Sequence, residues 1–397
     1  MLVVHVSLTP LAGSPIRIVR ALNAHTDVEA RLIDLSPNAY GDRTFPEDLV
    51  WAEHGDEARE LLSRADVVHY HHWFDFASTS NPFGVDFHRS TKPGARSLIQ
   101  WHSGPAFVAK NTGASETDLV RAEMPQMVMA QYHERYYPRA VPVPLVVEDA
   151  PATDAPPTPR RQRPSIFFSP SRSISAHADR WETKGKPEVV KVLQSLARRG
   201  LADPVVVQGA PFAECQRLRA GADVVIDDVV TGSYHTTSLE ALAQGKATVA
   251  YLDSRTQAVL AELTGSTDLP LVNVHLDHLE RVLEDLCRDP ALVEELGSFS
   301  REWMGTHYRA ADMVAHYVRC YDELLETGAL VPPRYAQYAR AKLWLYRDVP
   351  DLVWAAKRKA LHSGALGDAF RRSTRRLRRH PAVQRLQERI TGTRGAE

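Results

Sequence analysis

Short apolar runs recur along the chain, and an amphipathic stretch follows nearly every one. LVVHVSL, VEARLIDL, ADVVHYHHW and ARSLIQWHS read as buried strands within residues 1–145, with PIRIVRALNAH and EARELLSRA as helices between them. Strands that are apolar almost throughout, alternating with helices, predict a parallel sheet covered on both faces. The alternation stops at EDAPATDAPPTPRRQRP, residues 148–164, where proline removes backbone donors and prevents regular packing. It restarts with the strands SIFFSPS, DPVVVQG and ADVVIDD and the helices KPEVVKVLQSLARRG and AECQRLRAG. TGSYHTTSLEALAQGKATVAYL, residues 231–252, adds a polar loop, a short helix and another strand. Three further helices follow, in LDHLERVLEDLCRD, PALVEELGSFSREWMGTHY and ADMVAHYVRCYDELLET. The pattern predicts an α/β protein with two Rossmann-like, doubly wound domains, at 1–147 and 165–328. Residues 148–164 link them, and 329–397 form a helical extension.

Composition changes this picture in two places. The 397 residues suffice for two cores, and Cys215, Cys287 and Cys320 form no CxxC pair. A reducing, cytoplasmic location is therefore expected, and MLVVHVSL is expected to be a first strand rather than a leader. No apolar run approaches the roughly 20 residues that span a bilayer. Charge is less even than its sum of -1 implies. Residues 331–397 hold 16 Lys/Arg and 5 Asp/Glu, a net of +11, so the rest holds 32 and 44, a net of -12. In ALGDAFRRSTRRLRRHPAVQRLQERI, Leu366, Phe370 and Leu377 share one face among arginines. Such a tail suits docking on the acidic body or an anionic membrane surface at the inner face of a membrane, through residues 365–397. No recognised nucleic-acid module accompanies it, so nucleic acid is not an expected partner.

Candidate chemistry lies where strands run into helices, since helix N-termini present unpaired N–H groups that favour phosphate. Gly232, His235, Thr236 and Thr237 lie in such a loop, ahead of Glu240. Thr237-Ser238-Leu239-Glu240 fits a capping box, in which the glutamate only returns a hydrogen bond to the cap. The functional alternative has Glu240 accepting from the vicinal diol of a ribose. SPSRSISAHADRWETKG supplies Arg172, Arg180 and Lys184 ahead of the next helix, enough charge for a diphosphate or for a solvated basic loop. His102 ends a strand in IQWHSGPAF, where it either positions a sugar or is merely structural. Gly13 and Ser14 in LTPLAGSPIR could cradle a phosphate or sugar, although GxGxxG is absent. His69, His71 and His72 alternate between sheet faces with no acidic partner in view, so no metal is expected there. GxxxxGK[ST], HExxH, GxSxG and Asp-x-Asp are also absent.

Together these residues resemble the GT-B glycosyltransferases, specifically the family 4-like retaining group, over about residues 1–325. ADVVIDDVVTGSYHTTSLEALAQGKATVAYL looks like that group's nucleotide-binding stretch. The resemblance implies a ribose contact for Glu240 and a diphosphate-binding pair of Lys184 with Arg172 or Arg180. It also implies a sugar-positioning role for His102 and a glycine loop at Gly13. The implied partners are a nucleotide sugar and a hydroxyl acceptor, with no cofactor beyond the donor and no metal. Many relatives carry a second glutamate eight residues before the first-turn one; here that position is Gly232. A nucleotide-sugar epimerase of the same fold, or a non-catalytic sugar-nucleotide-binding subunit, stays open alongside transfer.

Overall fold

The computed structural model describes residues 1–332 apart from 37–44, 46–47, 80, 82, 133–135, 150–161, 171–172 and 178–182. The basic tail, Arg172, Arg180 and most of the proline-rich linker therefore lie outside the described residues. Met1–Pro332 forms one compact unit built on two sheets.

The first sheet contains β1 (Leu2–Ser7), β2 (Glu29–Asp34), β3 (Leu49–Val50), β4 (Val67–His71), β5 (Arg96–Trp101), β6 (Gln126–Met129) and β7 (Ala140–Val143). Every pairing is parallel, in the order β3-β2-β1-β4-β5-β6-β7. Its helices are α1 (Ser14–His25), α2 (Trp51–Arg64), α3 (Pro105–Thr112) and α4 (Glu116–Arg121). β1 is buried at all six positions, which explains its unbroken apolar run.

The second sheet contains β8 (Ser165–Phe168), β9 (Asp203–Val206), β10 (Val224–Ile226), β11 (Ala247–Ala250) and β12 (Leu271–Asn273). These too are parallel throughout, in the order β12-β11-β10-β8-β9. Around them lie α5 (Lys186–Arg198), α6 (Phe212–Ala220), α7 (Thr236–Ala243), α8 (Ser254–Thr264), α9 (Leu279–Arg288) and α10 (Pro290–His307). The last described helix, α11 (Ala310–Thr327), returns to pack on α1 and β7 of the first sheet. Sequence order alone groups it with the second domain. Tyr308 ties the return in place by donating to the Leu145 carbonyl at 2.9 Å.

Strand order reverses between β1 and β4 in one sheet and between β8 and β10 in the other. At such switch points the loops at the carboxyl ends diverge and leave a crevice for a ligand. All the described candidate residues lie on loops or helix starts that follow β1, β5, β8 or β10. Among the described residues, no helix is long and apolar enough to cross a membrane.

Candidate functional site

The site's most constrained residue is Asp227, directly after β10, and the sequence reading does not single it out. Its carboxylate is fully buried. It accepts from the Lys184 ammonium, from the His235 amide at 2.7 Å and from the Ser238 hydroxyl at 2.6 Å. His235 Nδ1 stands 3.4 Å from the same carboxylate. Burial alone would raise the Asp227 carboxyl, but the Lys184 charge and His235 outweigh it and hold it well below the usual range. Lys184 is thus not a solvated cation. It is fixed at the β8–β10 switch point, with most of its side chain covered. The loop before it is pinned locally: Ser175 donates to Glu188 at 2.5 Å, and Thr183 donates to the Ile174 carbonyl at 2.5 Å. The signal available in the sequence was the Asp pair closing ADVVIDD.

The loop between β10 and α7 turns on Asp228, which accepts from the amides of Val230 at 2.8 Å and Thr231 at 2.9 Å. Gly232 follows with φ +84°, a backbone state that L residues rarely adopt. A Cβ there would stand 3.0 Å from Asp253 Cβ and 3.3 Å from an Asp253 carboxylate oxygen. A glutamate at this position would be strained in its backbone and would press on the Asp253 side chain at the start of α8. Ser233 donates across to the Gln131 carbonyl of the first lobe at 2.9 Å, so the loop lies where the lobes meet.

Helix α7 begins at Thr236 with His235 as its cap residue and no side-chain cap bond. The capping box around Thr237 is therefore not formed. The amides of Thr236 and Thr237 find no acceptor among the described residues, and both side chains are half-buried at the helix start. Glu240 points towards the first lobe. One carboxylate oxygen is 2.5 Å from Arg17 of α1 and the other is 2.6 Å from Arg219 of α6. Arg219 is only 2% exposed, and Gln244 supports it at 3.1 Å. The Arg17 guanidinium also stands over the Phe212 ring, 5.3 Å from its centre. The sequence reading missed both arginines. Arg17 lies one helix turn after the Gly13–Ser14 loop, which was the available clue.

That loop occupies the mouth of β1. Gly13 caps α1 with φ +76°, and a Cβ on it would meet the Phe45 ring at 2.5 Å. The Ser14 hydroxyl is buried and has no partner among the described residues. An unsatisfied hydroxyl at a helix start suits a polar ligand atom.

At the ends of β4 and β5 the structure gathers far more histidine than expected. His5, His69 and His71 are fully buried side by side on β1 and β4. Alternation separates His72 from this group, but it places His69 and His71 on the same face. His71 Nδ1 lies 2.8 Å from Nε2 of His102, which is partly exposed on the rim. His72 adopts φ +65°, and both its ring nitrogens are buried without partners among the described residues; its ring sits 5.4 Å from that of His102. Burial keeps these imidazoles neutral, with His5 pushed down to about 3 and His72 to about 4. It also holds His69, His71 and His102 well below the ordinary value.

Ligating nitrogens of His5, His69 and His71 fall within 4.8 Å of one another, close enough to raise the question of a metal. Their geometry suits hydrogen bonding better. The His69 and His71 rings stack, with centres 4.4 Å apart and planes at 19°, so their in-plane lone pairs do not converge on one ion. His5 Nδ1 and His71 Nε2 already lie 2.9 Å apart as a hydrogen-bonded pair.

No family model matches the chain, and no curated protein matches it either. Solved structures do. An alpha-glucosyltransferase in complex with UDP and a 13-mer DNA containing a HMU base aligns with TM-score 0.53 and 10% identity, over 81% of this chain and 99% of that one. Anabaena HepE in complex with UDP aligns with TM-score 0.51 and 12% identity, over 82% of this chain and 100% of that one. At such identities the likeness is one of fold, and the expected architecture is met: the chain has the GT-B fold.

Proposed function

We propose that the chain is a glycosyltransferase that moves a sugar from a nucleoside-diphosphate sugar to an acceptor hydroxyl. The observation that carries this reading is the convergence of Lys184 and the free α7 amides at the β8–β10 switch point, facing the mouth of β1. The two structures named above hold UDP, a ligand that such a site would accept. The diphosphate sits on the Thr236 and Thr237 amides and hydroxyls, with Lys184 and Arg172 or Arg180 supplying charge. Glu240 receives the ribose diol in exchange for one arginine contact, and Arg17 is the contact that lobe movement can release. Gly13 and Ser14 line the sugar's side, and His102 positions the sugar.

In the reaction the anomeric C–O bond to the diphosphate breaks, and its electron pair stays on the phosphate oxygen. The acceptor oxygen bonds to the anomeric carbon, and its proton passes to the departing diphosphate. Preorganised N–H groups and Lys184 stabilise the charge that develops there, so the step is proposed to need no metal. Retention of configuration follows from the family 4-like resemblance and belongs to the same proposal.

A second reading has two observations in its favour. Glu240 is fully occupied by two arginines, and Gly232 stands where the second glutamate would be. A sugar-nucleotide-binding subunit without turnover fits both facts. Incubating the chain with a panel of nucleotide sugars and hydroxyl acceptors separates the readings. Transfer predicts nucleotide release that depends on the acceptor. Binding without release across the panel would establish the subunit, and acceptor-independent interconversion of the donor would indicate an epimerase.

A further inference from the structure

Among the described residues, His72 is the one side chain with two buried polar atoms and a hydrogen bond to neither. It directly follows β4 and adopts φ +65°, in the left-handed region, where an L side chain is crowded and glycine is the usual occupant. The backbone is anchored there, because the His72 amide donates to the Gln100 carbonyl of β5 at 2.9 Å. Two costs therefore fall on one residue: a crowded backbone, and two ring nitrogens withdrawn from water. Glycine would avoid both. Such a combination persists where a ligand uses the side chain.

The place of the ring says where that ligand lies. In the strand order β1-β4-β5, Gly13 and Ser14 follow β1 and His102 follows β5, so His72 stands between them. Its ring centre is 5.4 Å from that of His102, with the planes at 66°. The residue as a whole is half-buried, which puts the ring just beneath the rim of the lobe. Trp73, next in the chain, is also half-buried, and its ring meets that of Phe76 edge-on at 5.2 Å. An indole offers an apolar face and an N–H, which match the C–H face and the hydroxyls of a sugar ring.

No carboxylate pairs with His72 among the described residues, and a buried imidazole without one is neutral. A neutral imidazole carries one N–H and one bare nitrogen, aimed to different sides of the ring. A phosphate or carboxylate oxygen accepts only, and so satisfies the N–H alone. Hydroxyls both donate and accept, so a ligand with several of them satisfies both nitrogens. We infer that His72 is a specificity-determining contact to the acceptor, and that the acceptor is a saccharide whose hydroxyls meet both ring nitrogens. The word acceptor rests on the proposed transfer: the donor is held by its nucleotide on the second lobe, whereas His72 and Trp73 open the β4–β5 connection of the first. An alcohol with a single hydroxyl leaves one His72 nitrogen unsatisfied and is selected against.

Proton–nitrogen correlation spectra of the full chain, with labelled imidazoles and His72 assigned through its own backbone, follow this ring directly. The probes are glucose, galactose, mannose, N-acetylglucosamine, maltose and lactose, with 1-propanol for comparison. Both His72 nitrogens are expected to shift saturably with at least one saccharide and not with 1-propanol. No shift with any saccharide, an equal shift with 1-propanol, or a shift only with intact nucleotide sugars overturns the inference, and none of these results needs a variant. H72F keeps a ring without nitrogens, and H72N keeps a residue that tolerates the left-handed backbone. Either one, confirmed folded by circular dichroism, is expected to bind the responding saccharide at least tenfold more weakly, and wild-type affinity in a folded variant overturns the assignment. The titration contains no nucleotide. A chain that binds saccharide at His72 but consumes no nucleotide sugar keeps the contact and loses the transfer reading; a chain that transfers sugar while His72 stays silent loses the contact alone.

Discussion

Glu240, the proposed ribose contact, is also a structural carboxylate. It is held at 2.5 Å by Arg17 and at 2.6 Å by Arg219, and the second arginine has almost no access to solvent. Removing one partner of a buried pair costs about 3–5 kcal/mol, because it strands the other charge. Glu240→Gln is therefore expected to lower unfolding stability by several kcal/mol. Arg17→Gln, which leaves Arg219 paired, is expected to cost less than half as much. Urea titrations of both variants check this, and equal losses would contradict the arrangement. At Gly232 an L residue in the left-handed region costs roughly 1–2 kcal/mol, before any crowding against Asp253. Gly232→Ala should fall in or above that range. Gly232→Glu, which adds a second carboxylate beside Asp253, should cost clearly more. Glu240 and Lys184 were both legible as candidates because loop–helix junctions mark anion sites. Their partners were not: Asp227 lies 43 positions from Lys184, and Arg17 lies 223 from Glu240. A single sequence carries no signal for pairings at such separations.

At the scale of elements, hydrophobic periodicity located the long strands and amphipathic helices, because their burial is continuous or one-sided. It passed over β3, which has only two residues, β6 and β7, of four residues each, β12, where no position is fully buried, and the helix α8. The short α3 and α4 also escaped, lying among glycine and polar residues that read as loop. The destination of α11 was the larger gap. Its apolar stripe shows that it packs, but not that it packs on α1 and β7. Two tyrosines make that docking specific. Tyr317→Phe removes the donor to the Pro144 carbonyl and leaves both it and Gln100 Nε2 short of a partner. A buried unsatisfied group costs about 1–3 kcal/mol, so a loss in that range is expected. Chemical denaturation followed by tryptophan fluorescence measures it, and an unchanged midpoint would show that α11 is not held this way.

Across the molecule, the buried histidines link stability to pH. His5, His69, His71, His72 and His102 all titrate below their ordinary value of 6.5 because burial disfavours the charged ring. Below that pH the unfolded chain binds protons that the folded chain refuses. Stability is therefore full above about 6.5 and falls as the medium becomes more acidic. At about 1.4 kcal/mol per pKa unit, each fully buried imidazole forfeits roughly 2 kcal/mol by about pH 5. The denaturation midpoint should drop steeply between neutrality and that pH; a flat profile would mean that the cluster is hydrated or already charged.

The proposed function requires the second lobe to grip a nucleoside diphosphate through Lys184 and the start of α7. Calorimetric titration of nucleoside diphosphates into the full chain in a chelator, alongside Lys184→Ala confirmed folded by circular dichroism, tests it most directly. Saturable binding to the wild type at one site is expected, with a loss of at least tenfold in affinity in the variant. No binding of any nucleoside diphosphate to the wild type, or equal affinity in the two proteins, would contradict it.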